Sequence, residues 1–223
     1  MSDTDVKPLR VVVLISGSGS NLQALIDGVA SGDLPIEIVA VISNRPDVLG
    51  LTRAAQAGIA TAVLDHKGFA SREAFDHELM HIIDAYNPGL IVLAGFMRIL
   101  TAEFTRHYLG RMLNIHPSLL PKFQGLHTHQ RAIDAGESQH GVTVHFVTAE
   151  LDGGPAILQA VVPVLANDDA NLLAKRVQRQ EHVIYPLAVK WFAQGKLKMV
   201  EGKTELHGEL LPTCGYQIEA NEP

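Results

Sequence analysis

Cysteine is nearly absent: Cys214 is the only one in 223 residues. No disulfide can form within the chain, which fits a reducing compartment. Cys214 has no charged neighbour in sequence to mark it as a nucleophile. Positive charge is also short, with 18 Lys and Arg against 24 Asp and Glu and a net charge of −6. That balance advertises no face for nucleic acid, whereas a small anionic substrate needs only local donors. Long apolar runs are missing too. The run VVVLIS at residues 11–16 is far too short to span a bilayer. The opening MSDTDVKPLR has no basic segment followed by an apolar one, so no secretion signal is read there. The expectation is a cytoplasmic protein that meets neither membrane nor nucleic acid. Its 47% hydrophobic content is ordinary for a globular chain and suffices for one sizeable core.

What is present is a regular alternation of strands and helices. Leu9 to Ser16 is nearly continuous and β-branched, the pattern of a strand buried on both faces. A helix over Leu22–Asp27, a strand over Ile36–Ser43, a helix over Pro46–Ala57 and a short strand over Ala60–Leu64 follow. Ser71 caps the next helix, in which Phe75, Leu79, Ile82 and Ile83 recur at helical spacing. Strands at Leu90–Ala94 and Arg111–His116 flank a helix at Thr101–Tyr108. This βαβαβαβαβ order calls for an α/β fold with a doubly wound, mostly parallel sheet. After His116 the pattern changes. A loop rich in Pro, Gly and His leads to a short helix over His129–Ala135, then to strands at Gly141–Thr148 and Ile157–Val164. Their short connection predicts an antiparallel C-terminal part. The first of them alternates as if one face were wet, and Pro163 suggests that the second is an edge. Asn171–Gln194 reads as the longest helix, with a kink or break at Pro186, and Lys198–Leu211 as a hairpin.

Gly17-Ser18-Gly19 lies between a buried strand and a helix start. Backbone donors there, helped by the helix dipole, make an anion site, and Ser20 and Asn21 add side-chain donors. A dinucleotide fingerprint would want a small residue where Leu22 stands and an acid where Ser43-Asn44-Arg45 stand. The Gly-Lys-Ser/Thr of a P-loop is absent. A phosphate monoester needs neither, and it competes with a purely structural turn.

Asn114 and His116 alternate onto one face of a strand that Pro117 helps to stop. The carboxyl edge of such a sheet is where ligands bind. A neutral amide donor beside an imidazole suits a carbonyl carbon that passes through a tetrahedral oxyanion. The same two residues also fit an ordinary turn. Asp152 sits in a Gly-Gly-Pro loop between the sixth and seventh strands. It is either a turn former or a carboxylate facing His116, where it would favour the charged ring that a proton donor requires. The chain has 11 histidines, with His127, His129 and His145 near His116 in this half. No HExxH or CxxC spacing accompanies them, so no metal is expected.

The segments SGSGSNLQALID, LAGFMRIL, LNIHPSLLPKFQGLHTH, HFVTAELDGGPAILQ and RVQRQEHVIYPLAVKWF resemble the phosphoribosylglycinamide formyltransferases, a branch of the folate formyltransferase superfamily. The likeness runs in order over nearly the whole chain from Arg10. It implies a Rossmann-like formyltransferase fold: a tail at residues 1–9 and one domain at 10–223. In that domain a phosphate-binding half at 10–110 precedes a catalytic and folate-binding half at 111–223. It implies 10-formyltetrahydrofolate as cosubstrate and phosphoribosylglycinamide as acceptor, in a monomer or homodimer. Asn114 and His116 would hold the oxyanion, with His116 as proton donor and Asp152 sustaining its charge. Gly19, Ser20 and Asn21 would take the substrate phosphate, and Glu181 the ribose hydroxyls. Met97, Arg98, Ile99 and Leu100, with Asn114 and Thr148, Ala149, Glu150, Leu151 and Asp152, would line the folate pocket, and Arg72 would meet its carboxylate tail. Ser18 and Gln124 depart from the residues common at their places, Asn and Pro.

Three rival readings stand beside this one. A formyltetrahydrofolate deformylase would deliver the formyl group to water and carries an extra N-terminal domain. A methionyl-tRNA formyltransferase would need a further C-terminal domain and a basic surface. A non-enzymatic nucleotide-binding module would leave Asn114, His116 and Asp152 unexplained.

Overall fold

The computed structural model describes residues 6–220, so most of the expected tail, and the last three residues, lie outside the description. Leu9, assigned to that tail, already belongs to the first strand. Helices and strands follow as β1 (Leu9–Ile15), α1 (Ser20–Ala30), β2 (Ile36–Ser43), α2 (Leu49–Gln56) and β3 (Thr61–Val63). A 3-10 turn at His66–Gly68 leads to α3 (Arg72–Ala85), β4 (Leu90–Leu93), α4 (Ala102–His107) and β5 (Met112–His116). The second half adds α5 (Thr128–Asp134), β6 (Gln139–Phe146), β7 (Ala156–Pro163), α6 (Ala170–Ala193), β8 (Leu197–Val200), β9 (Lys203–Leu206), β10 (Glu209–Leu210) and β11 (Tyr216–Glu219).

Eight strands form one sheet in the order β11-β7-β6-β5-β4-β1-β2-β3, and β10-β9-β8 form a small second sheet. Strands β1 to β5 pair in parallel, and β6 is antiparallel to both β5 and β7. The pleat of β1 shows why its run is continuously apolar. Val11, Val13 and Ile15 enter one core with Leu22 and Leu25 of α1 and Val177, Ile184 and Tyr185 of α6. Val12 and Leu14 enter the opposite core with Phe75, Leu79 and Ile83 of α3 and with Phe104 and Tyr108. A strand covered on both faces has no position to spare for a polar side chain.

Helix boundaries follow their capping chemistry. Ser71 accepts from the Ala74 amide at 3.1 Å, and Thr101 from the Phe104 amide at 3.2 Å; such a cap is worth about 1 kcal/mol. α2 begins later than Pro46, because Asp47 takes a left-handed turn and Val48 is still extended. α6 runs through Pro186 as one helix, so the expected break is not there. Its N-terminus is tied down by Asp168, which accepts from both Arg176 Nη1 (2.6 Å) and Nη2 (2.9 Å). That guanidinium holds the Asp168 carboxyl below its ordinary range. The pair therefore adds stability above the unfolded carboxylate value of about 3.9 and loses it as pH falls through the lower folded one. We expect Asp168→Asn to lower the urea midpoint at pH 7. Across the acid limb below roughly pH 4 it should flatten the fall seen in wild type. Parallel curves for the two proteins would refute this.

Two expectations about the C-terminal half are corrected. β7 is not an edge: β11 lies beside it in parallel, from Tyr216 opposite Leu158 to Glu219 opposite Val161, and Pro163 falls beyond that pairing. β6 has no wet face, since every residue from His140 to Phe146 is buried. α6 packs on one side of it. On the other, Thr143 donates to the Ser118 carbonyl (2.7 Å) and accepts from the Leu120 amide (3.1 Å), so the Pro-rich loop lies over the polar side chains. Lys198–Leu211 holds the expected hairpin, β8 with β9, and the short β10 extends it. No helix among the described residues is long and apolar enough to cross a membrane.

From β1 the chain winds outward through β2 to β3, and from β4 it winds the other way through β5. The reversal falls between β1 and β4, whose carboxyl ends are the place where open α/β sheets bind ligands.

Candidate active site

Three segments reach that edge. The glycine turn follows β1. The Ala94–Leu100 loop follows β4, with Met97 and Ile99 exposed. Asn114 and His116 close β5. Ser16 joins the first two: the Met97 amide donates to its hydroxyl (2.8 Å), and the hydroxyl donates to the Asn44 side chain. Asp76 braces the same loop from α3, accepting from the Thr101 amide at 2.7 Å. Burial raises its pKa, while the Thr101 bonds and the charges of Arg98 and Arg72 oppose the rise. The Arg98 guanidinium also lies over the Phe75 ring, 4.9 Å from its centre. Arg72 itself is exposed on α3.

The carboxylate of Asp152 comes to the imidazole of His116. Nδ1 and Oδ2 are 3.6 Å apart, with both side chains 8% exposed. The other ring nitrogen, Nε2, is 2.8 Å from the Phe123 carbonyl. Both nitrogens thus face oxygen acceptors, and only a doubly protonated ring offers a donor to each. Asp152 is aimed by its surroundings. Its backbone is left-handed (φ 51°), its Oδ2 accepts from the Gly125 amide at 3.0 Å, and its carbonyl accepts from Gln124 Nε2 at 3.3 Å. The departure at Gln124 therefore adds a bond that a proline side chain could not make.

His145 has a role that sequence reasoning misses, since its place among the histidines suggests only a metal ligand. It lies directly opposite Asn114 across the β5–β6 ladder. Burial lowers its pKa, so the ring is neutral. Its Nδ1–H donates to the Phe146 carbonyl at 2.8 Å, which leaves Nε2 as an acceptor for Asn114 Nδ2, 3.5 Å away. The flipped amide would set two acceptors against each other. His145 therefore fixes which end of Asn114 is the donor. The signal for this was strand register, which spacing alone does not carry.

His129 and His140 contact each other at 3.1 Å. Burial pushes His140 down to about 4 and His129 down as well. Among the described residues no group of three or more His, Cys, Asp or Glu is placed to hold a metal ion.

At the glycine turn, Gly19 is left-handed (φ 70°) and caps α1 with no side-chain bond, leaving the first amides of the helix free for a ligand. Asn21 Nδ2 donates to Glu181 Oε2 at 3.0 Å, joining two residues 160 positions apart. Burial raises the Glu181 pKa, partly offset by that bond. Asn21 Oδ1 is buried without a partner. Thr148, Ala149, Glu150 and Leu151 form the outer part of the Asp152 loop, half-buried to exposed.

Free helix amides at the glycine turn and an amide, an imidazole and a carboxylate at the end of β5 share one sheet edge, an arrangement suited to group transfer. The family model described as formyl transferase matches residues 9–189. The phosphoribosylglycinamide formyltransferase of Escherichia coli K12 is 58% identical over 211 residues, which is 95% of this chain and 100% of that one. Its Haemophilus influenzae counterpart is 48% identical over 94% of this chain and 99% of its own. A solved phosphoribosylglycinamide formyltransferase from Coxiella burnetii superposes with a TM-score of 0.91 at 52% identity, covering 94% of this chain and 99% of that one. The chain belongs to the phosphoribosylglycinamide formyltransferase family.

Proposed function

We propose that this protein moves the formyl group of 10-formyltetrahydrofolate onto the amine of phosphoribosylglycinamide, a step of purine synthesis in the cytoplasm. The observation that carries the reading is Asp152 against His116 beside Asn114, at the same sheet edge as an uncapped glycine turn. The relatives' names supply the acceptor and the group transferred; the folate donor is what the family resemblance implies.

In this reading the turn of Gly19, Ser20 and Asn21 takes the phosphate, and Glu181 with Asn21 takes the ribose hydroxyls. The loop Met97–Leu100 and residues Thr148–Asp152 hold the folate, with Arg72 meeting its carboxylate tail. Attack by the amine turns the formyl oxygen into an oxyanion. The second amide hydrogen of Asn114, left over from His145, is aimed at that oxygen, and the charged His116 ring stabilises it. The Nε2–H of His116 then leaves the Phe123 carbonyl and supplies its proton to the departing folate nitrogen while the new C–N bond stays, and the proton lost by the amine replaces it. The buried Asp152 carboxylate lies against the ring that hands over the proton. Partners are these two small molecules; no metal takes part.

One assay separates this from hydrolysis. Formyl-folate incubated with the enzyme should lose its formyl group only when phosphoribosylglycinamide is present. Equal loss without the amine would establish a deformylase instead.

A further inference from the structure

We propose that Arg53, one turn into α2, is a positioning residue for the phosphate turn: it pins the Ser18 carbonyl away from the anion and so aims the turn's amides at it. This rests on the reading of that turn as the phosphate site.

In a trans peptide the carbonyl and the next amide point in opposite directions, so anchoring one aims the other. The Gly17 carbonyl accepts from the Gly50 amide at 3.0 Å, and the Gly19 carbonyl from the Gln23 amide at 2.8 Å. Between them the Ser18 carbonyl accepts from Arg53 Nε at 2.8 Å. Three successive carbonyls are thus each anchored, and the amides of Ser18, Gly19 and Ser20 each point away from the anchored carbonyl before them. Among the described residues no protein acceptor takes those amides. Such a row forms an anion-binding concavity.

Of the three anchors, only the middle one comes from a side chain. Its peptide is also the easiest to turn over, because Gly19 tolerates either sign of φ. A flipped Ser18 carbonyl would point its oxygen at the phosphate and remove one donor at the same stroke. Arg53 reaches the turn because Gly50 brings α2 close. A β-carbon at Gly50 would collide with Ile15 and lie 3.1 Å from the Gly17 oxygen and 3.3 Å from the Gly19 Cα. A second contact, Arg53 Nη1 to Gln23 Oε1 at 3.3 Å, fixes the guanidinium plane.

The test is a set of KM values and the inhibition constant of inorganic phosphate as a competitor of the amine. Arg53→Met should raise the KM for phosphoribosylglycinamide and weaken phosphate inhibition, each about tenfold. The KM for formyl-folate, kcat and the urea midpoint should hold. Arg53→Lys, which can still reach one carbonyl, should recover most of the loss. An unchanged amine KM in Arg53→Met would overturn the proposal, as would equal rises in both KM values with a lowered midpoint, the mark of a structural role. Inhibition of the wild type by inorganic phosphate is the control. If phosphate does not compete with the amine there, the phosphate reading itself fails and the proposal with it. If it competes while Arg53→Met changes neither its inhibition constant nor the amine KM, only the role of Arg53 is lost.

Discussion

Asp152→Asn should lower kcat by about 10²–10⁴-fold, the range spanned by removing a positioned acid–base function, while both KM values and the melting temperature stay near those of wild type. The contrast between activity and stability follows from what the substitution keeps. Asparagine tolerates the left-handed backbone that Asp152 adopts (φ 51°). Its side-chain oxygen can still accept from the Gly125 amide, and its carbonyl from Gln124. What is lost is the negative charge 3.6 Å from His116 Nδ1 in a site where both side chains are 8% exposed. There, little water screens that charge, and a neutral amide cannot replace it. Steady-state kinetics and a thermal melt of the purified variant measure both halves. Turnover within a few fold of wild type would remove Asp152 from the mechanism.

Much of this site was legible because its parts sit on elements whose pattern is local. The bounds of β2 matched residue for residue, since IEIVAVIS is fenced by turn residues at both ends. β5 ended at His116 because Pro117 has no amide to continue a ladder. What was not legible depended on which surfaces meet. The alternation in GVTVHFVT correctly marked Val142, Val144 and Phe146 as one face, but polarity on the other was taken for solvent. That face lies under the Pro-rich loop, with Thr143 and His145 buried and bonded, Thr143 also to Gln159 of β7. Periodicity distinguishes apolar from polar, not water from buried hydrogen-bond partners. β11 went unseen for a related reason. TCGYQIE has too few apolar positions to declare a strand, and its ladder with β7 uses backbone groups that any sequence supplies. The Asn114–His145 pair needed the register of β5 on β6, and the Arg53 contact needed the approach of α2 to the turn.

Gly154→Ala should destabilise the protein and disable it through one contact. A β-carbon at Gly154 would collide with the Phe146 carbonyl oxygen and come within 3.3 Å of the Thr148 side chain. That oxygen is already the acceptor that fixes the His145 ring. Relief is blocked on the strand side, because the Phe146 amide is tied to the Pro155 carbonyl and the Val147 amide to the Met112 carbonyl. The loop must therefore move, and Asp152 stands two residues away in it. Two consequences follow from one contact. Overpacking costs about 1–3 kcal/mol, which for a domain of this size lowers the melting temperature by roughly 3–10 °C. Withdrawing the carboxylate from His116 and disturbing the acceptor that sets His145, hence Asn114, should together reduce kcat by about 100-fold or more. A melt and a kcat measurement on Gly154→Ala test the pair jointly. A destabilised protein with full turnover would mean that the loop relaxes without shifting Asp152. An unchanged melting temperature would mean that the close approach of Gly154 to Phe146 does not hold in solution.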